Sequence, residues 1–476
     1  MASAAAVSVS ADPPVDSSFI ELVHLDGRNL AGLASVQYTI VPKPGTASKP
    51  VHVTYSIAAL QRQGYAVAGS SSVALPVFGL YAGYANQVAV QLTFRDGSVS
   101  SQLVVVTMPV YTDPNGIYDH PTVIKARAPG SALGFDFFAI KSALGSPVIM
   151  DSDGEIRWIA PGISDSFSSN FQDNAFVIGD PVSSAFWRLG LDGSIQASAI
   201  GSAIVTSFHH NIDIGKTGLL ADINAVSGGV SNVESTLVEF DPTTGNVISE
   251  WDLAAILSSY MLSQGDDPSQ FVRPGLDWFH MNSAIYDPRD DSIIVSSREN
   301  FVIKIDYASG TVKWILGDPT KYWYTFPSLR AKALQMQGGG LVPVGQHALS
   351  ITSDGLLMLF NDGLGSGQQP AGAPAGITRT YSAVSAYSID PVARTATEVW
   401  DFNDGQSIYS AICSSAYEAN GGSILVDYAY ASGGTTSRLV GLDANHGVVF
   451  DFQLANTGCN TAWNSIPIPL EDLRFD

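Results

Sequence analysis

Side chains able to do chemistry are few in this chain, so their spacing is informative. Among its eight histidines, three stand shortly ahead of an apolar run that reads as a strand: His210 before Leu219, His280 before Ile293 and His347 before Leu356, at 9, 13 and 9 residues. His280 lies in Asp277-Trp278-Phe279-His280-Met281-Asn282-Ser283, where strand alternation puts His280 and Asn282 on one face. Eighteen residues after His280, Arg298 closes the run from Ser292 to Ser297. An imidazole, a carboxamide and a guanidinium thus stand at strand ends. The guanidinium fork suits a tetrahedral oxyanion, and imidazoles serve as acid, base or nucleophile. His209 adjoins His210 and faces the opposite way on a strand; one of the two points inward, and the spacing favours His210. His24, His52, His120 and His446 lie outside this register.

Three converging imidazoles also match a common zinc set. No carboxylate second shell is evident from the sequence, however, and Arg298 at the same point would repel a dication, so no metal is expected. Nucleotide chemistry lacks a phosphate cradle: there is no G-x-x-x-x-G-K-[ST], and Gly338-Gly339-Gly340 neither follows a strand pattern nor opens a helix. Cys413 and Cys459 lack CxxC spacing, which leaves one disulfide or two inert thiols open.

The elements that must position these groups are strands. A unit of apolar strand, Asp, Gly-containing turn and second strand recurs six times: at Val148…Trp158, Trp187…Ile195, Leu237…Trp251, Val302…Trp314, Ala386…Trp400 and Leu439…Phe450. Six outer hairpins predict an all-β chain with a six-bladed β-propeller over 116–476. In a propeller the first strand of each blade lines the channel, so the three histidines of successive blades converge near its axis. The long insertion between Gly317 and Gly345, with Trp323 and Tyr324, is placed to lid a mouth. Ahead of the propeller, alternating runs such as Val36–Val41 and Gln87–Phe94, and the turn Arg95-Asp96-Gly97-Ser98, predict a small N-terminal β-sandwich over 17–115. Residues 1–16 read as a disordered leader, without the basic and apolar regions of a signal peptide. With 476 residues, two domains are expected. A net charge of −21 argues against nucleic acid and anionic membranes as partners, and no apolar run reaches the length of a membrane span.

Several motifs together resemble the bacterial arylsulfate sulfotransferases: His280-x-Asn282, then Ser296-Ser297-Arg298, then Val312-Lys313-Trp314-Ile315-Leu316-Gly317, then Gln346-His347. The stretch Phe78-Gly79-Leu80-Tyr81-Ala82-Gly83-Tyr84-Ala85-Asn86 is similar to the family's N-terminal sandwich. The resemblance runs from about residue 20 onward. It implies an exported enzyme, periplasmic or secreted and often homodimeric. It also implies transfer of a sulfuryl group from an aryl sulfate to a phenol with no cofactor and no nucleotide donor. His347 matches the histidine that is transiently sulfated, Arg298 the arginine holding the sulfuryl oxygens, and His280 with Asn282 the pair beside it. His209-His210 covers the remaining histidine. The mechanism implied is ping-pong. Trp323, Tyr324 and Phe208 are candidates to sandwich the aryl ring, against the alternative of packing between blades, which most of the chain's aromatic residues are expected to do. The family's disulfide links cysteines close in sequence, whereas Cys413 and Cys459 are 46 apart. Rival readings are a metal-dependent propeller enzyme, a non-catalytic propeller binding module, and a sulfatase-like hydrolase in which water discharges the same adduct.

Overall fold

The six anticipated hairpins all form, for instance Val148–Asp151 with Ile156–Trp158 and Val302–Asp306 with Val312–Leu316. The computed structural model describes residues 7–11 and 17–476. Each hairpin is extended by two or three further strands, giving six sheets of four or five strands, antiparallel except where Gln335–Gln337 pairs in parallel with Thr395–Phe402. Their innermost strands are Asn464–Ile468, Ser169–Gln172, Val205–Ile214, Met281–Asp287, His347–Ile351 and Ser415–Glu418. From Ser169–Gln172 round to Asn464–Ile468, each inner strand lies beside the next. The chain is therefore a propeller, and both of its ends close the ring. Asn464–Ile468 supplies the inner strand of the first sheet by pairing with Phe137–Lys141, and Thr122–Lys125 adds to the outer edge of the sixth. Sharing sheets between the two ends removes the seam at which a ring of separate sheets would open.

Large apolar side chains fill the wedges between sheets. Trp158 is fully buried against Phe176 at 5.4 Å, and its indole N–H donates to the Leu191 carbonyl at 2.8 Å. Burial of one such ring is worth about 1.5–3 kcal/mol or more, and the paired N–H removes the penalty of burying a polar atom.

The N-terminal domain is a sandwich of a three-stranded and a five-stranded sheet. Its predicted hairpin joins Ala85–Phe94 to Val99–Thr107, with Gly97 at φ 81° in the turn. The Phe78–Asn86 stretch meets the first propeller sheet. There the buried Arg157 donates to the Gly79 carbonyl at 2.7 and 3.1 Å, pairs with Asp151 at 3.1 Å and lies 3.6 Å over the Tyr81 ring.

Two expectations are corrected at the ends. Ser8–Ala11, placed in the disordered leader, is a strand paired with Ile20–Asp26, with Val7 buried in the sandwich core. Val7-Ser8-Val9-Ser10-Ala11 has the alternation of a strand, carried by small residues. The rest of the leader, 1–6 and 12–16, lies outside the described residues. At the other end, Leu473–Phe475 leaves the propeller and pairs in parallel with Val51–Ser56 of the sandwich. Cys413 and Cys459 form a disulfide. Among the described residues no helix is long and apolar enough to cross a membrane.

Candidate functional site

The three histidines reach one mouth of the channel although their sequence spacings differ, because each inner strand is bulged there. Register shifts fall at Phe208/Ile212, Met281/Ser283 and His347/Ser350, and His210, His280 and Ala348 take φ of 45°, 51° and 52°. A left-handed conformation costs a non-glycine residue on the order of 1 kcal/mol or more, and bulges re-aim side chains. Three at one level concentrate that strain where the imidazoles meet. The ring of His210 lies 4.8 Å from that of His280 and 6.4 Å from that of His347. His209 sits behind His210, with the two Nδ1 atoms hydrogen-bonded to each other. Both rings of the adjacent pair lie near His280, His209 at 6.2 Å and His210 at 4.8 Å, and His210 is also 6.4 Å from His347.

Arg298 follows the second strand of the fourth sheet; its N–H donates to the His280 carbonyl at 3.0 Å and its guanidinium pairs with Glu299. Asn282 was expected to bind substrate, but its amide nitrogen donates to the Gln346 carbonyl at 2.8 Å. Gln346 in turn donates to the Ser297 carbonyl at 2.9 Å. Asn282 thus fixes the backbone leading into His347, and only its buried, unpartnered Oδ1 is left to face a ligand.

Carboxylates, which sequence reasoning missed, surround the imidazoles. Asp362 Oδ2 lies 2.6 Å from His347 Nδ1, which also faces the Gly345 carbonyl at 3.0 Å. A carbonyl only accepts, so Nδ1 carries the proton and Nε2 keeps its lone pair. Burial pushes the His347 pKa well below the ordinary histidine value, and Arg298 and His280 add to this, so the ring is neutral. Burial also pushes Asp362 up, with Arg298 opposing. His210 is lowered well below its usual value too, by burial first and then by His209, His280 and His347.

His280 is the opposite case. Burial alone would lower it, but Asp277 at 2.6 Å and Glu234 at 2.9 Å both face its Nδ1 and raise it to about 9. Glu234 also accepts from His209 Nε2 at 2.7 Å. Burial works to raise Glu234, yet its two histidine hydrogen bonds bring it down to about 2. One pocket therefore holds neutral His347 and His210 beside a charged His280, the kind of separation that divides nucleophile from acid.

The aromatic wall is Trp463 and Phe167, rings stacked at 4.1 Å, with Trp463 4.9 Å from His210 and 5.6 Å from His347. Each lies just ahead of an inner strand, the level at which His280 and His347 stand. The disulfide packs in the same apolar cluster, and the Trp463 carbonyl accepts from Ser414 N. The aromatic residues proposed from sequence are corrected. Phe208 is buried between Phe186 and Phe240, and Trp323 is buried against Phe301, with Tyr324 packed on it at 5.2 Å. Size and apolarity at wedge positions drew them into cores. In the 317–345 segment, Trp323 and Tyr324 pack on the core of the fourth sheet. Within it, the buried Lys321 Nζ donates to the Arg298 and Glu299 carbonyls at 3.2 and 3.1 Å. The segment following Asp362 reaches the same place, where the backbone N–H groups of Gly367 and Gln368 both donate to Glu299 at 2.8 Å.

The expectation that no carboxylates stand behind the histidines is overturned. Two sets of donor atoms, His209 with His210 and Glu234, and Glu234 with Asp277 and His280, lie within 4.8 Å of one another and could hold a cation. His347 is in neither set, so the three-histidine zinc arrangement is not among those found in the described residues. The His280–Asp277 hydrogen bond and the ion-pair contacts of Glu234 with His209 and His280 account for the close approaches.

The family model described as arylsulfotransferase (ASST) matches residues 120–464, and that described as the arylsulfotransferase Ig-like domain matches 28–109. Curated relatives include arylsulfate sulfotransferase AssT of Escherichia coli O6:H1, 24% identical over 86% of this chain and 82% of its own. The protein of the same name from Lelliottia amnigena is 23% identical with the same coverage. Among solved structures, a gluconolactonase from Xanthomonas campestris aligns over 71% of this chain and 94% of its own at 11% identity, with a TM-score of 0.33, too loose to bear on function.

Proposed function

The chain belongs to the arylsulfotransferase family, and on that premise we propose that it moves a sulfuryl group from an aryl sulfate to a phenol in two steps through His347. The observation that carries this reading is the state of His347: buried, neutral, with its proton held on Nδ1 by Gly345 and Asp362. Nε2 is thereby a nucleophile formed before substrate arrives. In the first step Nε2 bonds to sulfur as the sulfur–oxygen ester bond breaks. The leaving phenolate takes a proton from charged His280, giving a phenol, neutral His280 and N-sulfonated His347. In the second step His280 removes the proton of an acceptor phenol, whose oxygen takes the sulfuryl group from His347. Arg298 meets the charge on the sulfuryl oxygens with a donor already in place. The Trp463–Phe167 wall gives the aryl ring an apolar face on the histidine side. Energetically this resembles phosphoryl transfer, in which positioning and electrostatics do most of what the protein contributes. The disulfide fits an oxidising, extracytoplasmic compartment.

The test is intact-mass spectrometry after mixing with 4-nitrophenyl sulfate and no acceptor. A gain of about 80 Da with one equivalent of nitrophenol, absent in His347→Ala, is expected of a nucleophilic histidine. Nitrophenol release that persists in His347→Ala would overturn the reading.

A further inference from the structure

Glu234 reaches the site from a place at which nothing in the sequence signals chemistry. It lies in the third strand of the third sheet, Val230–Phe240, two strands out from the channel. Its φ is 47°, and its N–H donates to Asn224 Oδ1 at 3.1 Å, outside the regular ladder. The strand breaks register there, between the pairs Ile223↔Thr236 and Ala225↔Asn232. A left-handed, non-glycine residue in mid-strand is strained. What that geometry achieves is a carboxylate with one oxygen on His209 and the other on His280, 12% exposed and enclosed by the site.

We propose that Glu234 is the positioning residue that makes His280 the acid–base partner of His347, holding His280 and His209 in one carboxylate fork. The proposal rests on the two-step transfer above and adds which group sets the acid. Because Glu234 and Asp277 both engage Nδ1 of His280, Nε2 is the nitrogen left to exchange a proton with substrate. The same fork orients His209, whose Nδ1 faces Nδ1 of His210, so only one of those two nitrogens carries a proton. The charged and titratable groups around His280 are His209 and His210 from the inner strand of the third sheet and Glu234 from its third strand. Asp277 precedes the fourth sheet, Arg298 and Glu299 follow its second strand, and His347 comes from the fifth. Of these, only Glu234 and Asp277 contact His280 with negative charge. Glu234 is the more deeply ionised of the two, lowered to about 2 while Asp277 is raised by burial.

A residue acting through the acid has a signature that a packing residue lacks: its loss matters more as the leaving group becomes poorer. The experiment measures kcat/KM of wild type, Glu234→Gln and Glu234→Asp across pH. The donors are 4-nitrophenyl, phenyl and 4-methylphenyl sulfate, each with excess acceptor phenol. In Glu234→Gln the alkaline limb moves to lower pH. The loss is expected to be within about 5-fold for 4-nitrophenyl sulfate and on the order of 10²-fold for the two poorer leaving groups, the range of general acid catalysis. Glu234→Asp retains the charge and keeps the limb near its wild-type position, with smaller losses. Equal losses for all donors with an unmoved limb, or Gln and Asp variants that behave alike, overturn the proposal. The about 80 Da adduct is followed in parallel samples of each enzyme and donor without acceptor. If it forms in wild type and its leaving-group dependence is unaltered in Glu234→Gln, only the role of Glu234 fails. If it never forms in wild type, the two-step transfer itself fails.

Discussion

Asp362→Asn is the most direct perturbation of the proposed nucleophile, because the side chain keeps its shape while an amide replaces the carboxyl group facing Nδ1. Asp362 is fully buried and Oδ2 lies 2.6 Å from His347 Nδ1. The smallest expected effect is loss of one hydrogen bond to a charged group, about 1.5–3 kcal/mol, or roughly 10- to 150-fold in rate. The largest follows if the new amide donates to Nδ1, moving the ring proton to Nε2 and abolishing the lone pair. A comparable Asp-to-Asn change in a Ser-His-Asp triad costs about 10⁴-fold. The Gly345 carbonyl, at 3.0 Å, still favours the proton on Nδ1. The second oxygen of Asp362 is buried without a partner, so the amide group finds no acceptor by turning away from the ring. These two features oppose each other and place the expected fall in kcat/KM for the donor at about 10²- to 10³-fold, between those limits. Rapid mixing with 4-nitrophenyl sulfate reads it as a slowed burst of nitrophenol, with the adduct still reaching one per chain. A burst rate within about 3-fold of wild type would show that the tautomer is not held by Asp362, and the account of His347 as a preformed nucleophile would fall.

Three further outcomes follow from the same geometry. Because the pKa of His280 is raised to about 9, the proton needed by the leaving phenolate is present below that pH and lost above it. The profile of kcat/KM for the donor should fall tenfold per pH unit beyond about 9 and stay level as pH drops through 6.5, since His347 is lowered well below its ordinary value. A plateau that continues past pH 10 would remove His280 as the acid. Trp463→Leu takes away a ring contact worth about 0.5–1.5 kcal/mol, so KM for aryl donor and acceptor should rise by roughly 2- to 13-fold with the adduct still formed; an unchanged KM would place the aryl ring elsewhere. Replacing Cys413 and Cys459 by Ser opens a loop with a sequence separation of 46. Loop entropy predicts a loss of about 4 kcal/mol in chemical denaturation, and a midpoint equal to wild type would refute a structural role for the bridge.

The fold was legible because strand alternation and Asp-Gly-type turns are local signals. All six hairpins could be read from runs such as Val302–Asp306 without knowing what they pack against. The histidines were legible for a similar reason: His280 and His347 stand at the start of inner strands, each a short distance ahead of the apolar run of the next strand. Glu234 was not legible, since it arrives through a bulge two strands from the axis, and bulges leave no spacing signature when the left-handed residue is not glycine. Trp463 and Phe167 were missed while Trp323 and Phe208 were chosen, because an aromatic residue in a wedge and one at a channel mouth look alike in sequence. Only the partners separate them: Phe240 and Phe186 around Phe208, against His210 and His347 beside Trp463. The strand Ser8–Ala11 was hidden by its small side chains, which alternate with too little contrast to stand out from a leader.

Arg298 and Asp362 occupy corresponding places: each is the residue following the second strand of its sheet, after Ser292–Ser297 in the fourth and Leu357–Asn361 in the fifth. One structural position thus carries a guanidinium in one sheet and a carboxyl group in the next, with His347 influenced by both. In the proposed reaction His347 changes from a neutral ring to a positively charged ring bearing an anionic sulfuryl group. Charge of both signs develops across one new bond. A unit charge at roughly 4 Å in an effective dielectric of about 20 interacts by about 4 kcal/mol before desolvation is counted. Asp362 meets the positive end and Arg298 the negative end, and neither has to move, because Asp362 is bonded to the ring and Arg298 is tied to Glu299 beforehand. A metal ion, which supplies charge of one sign only, would serve the sulfuryl oxygens and oppose the imidazolium. In the proposed reaction, Arg298 and Asp362 on adjacent sheets would serve the two ends of the same bond.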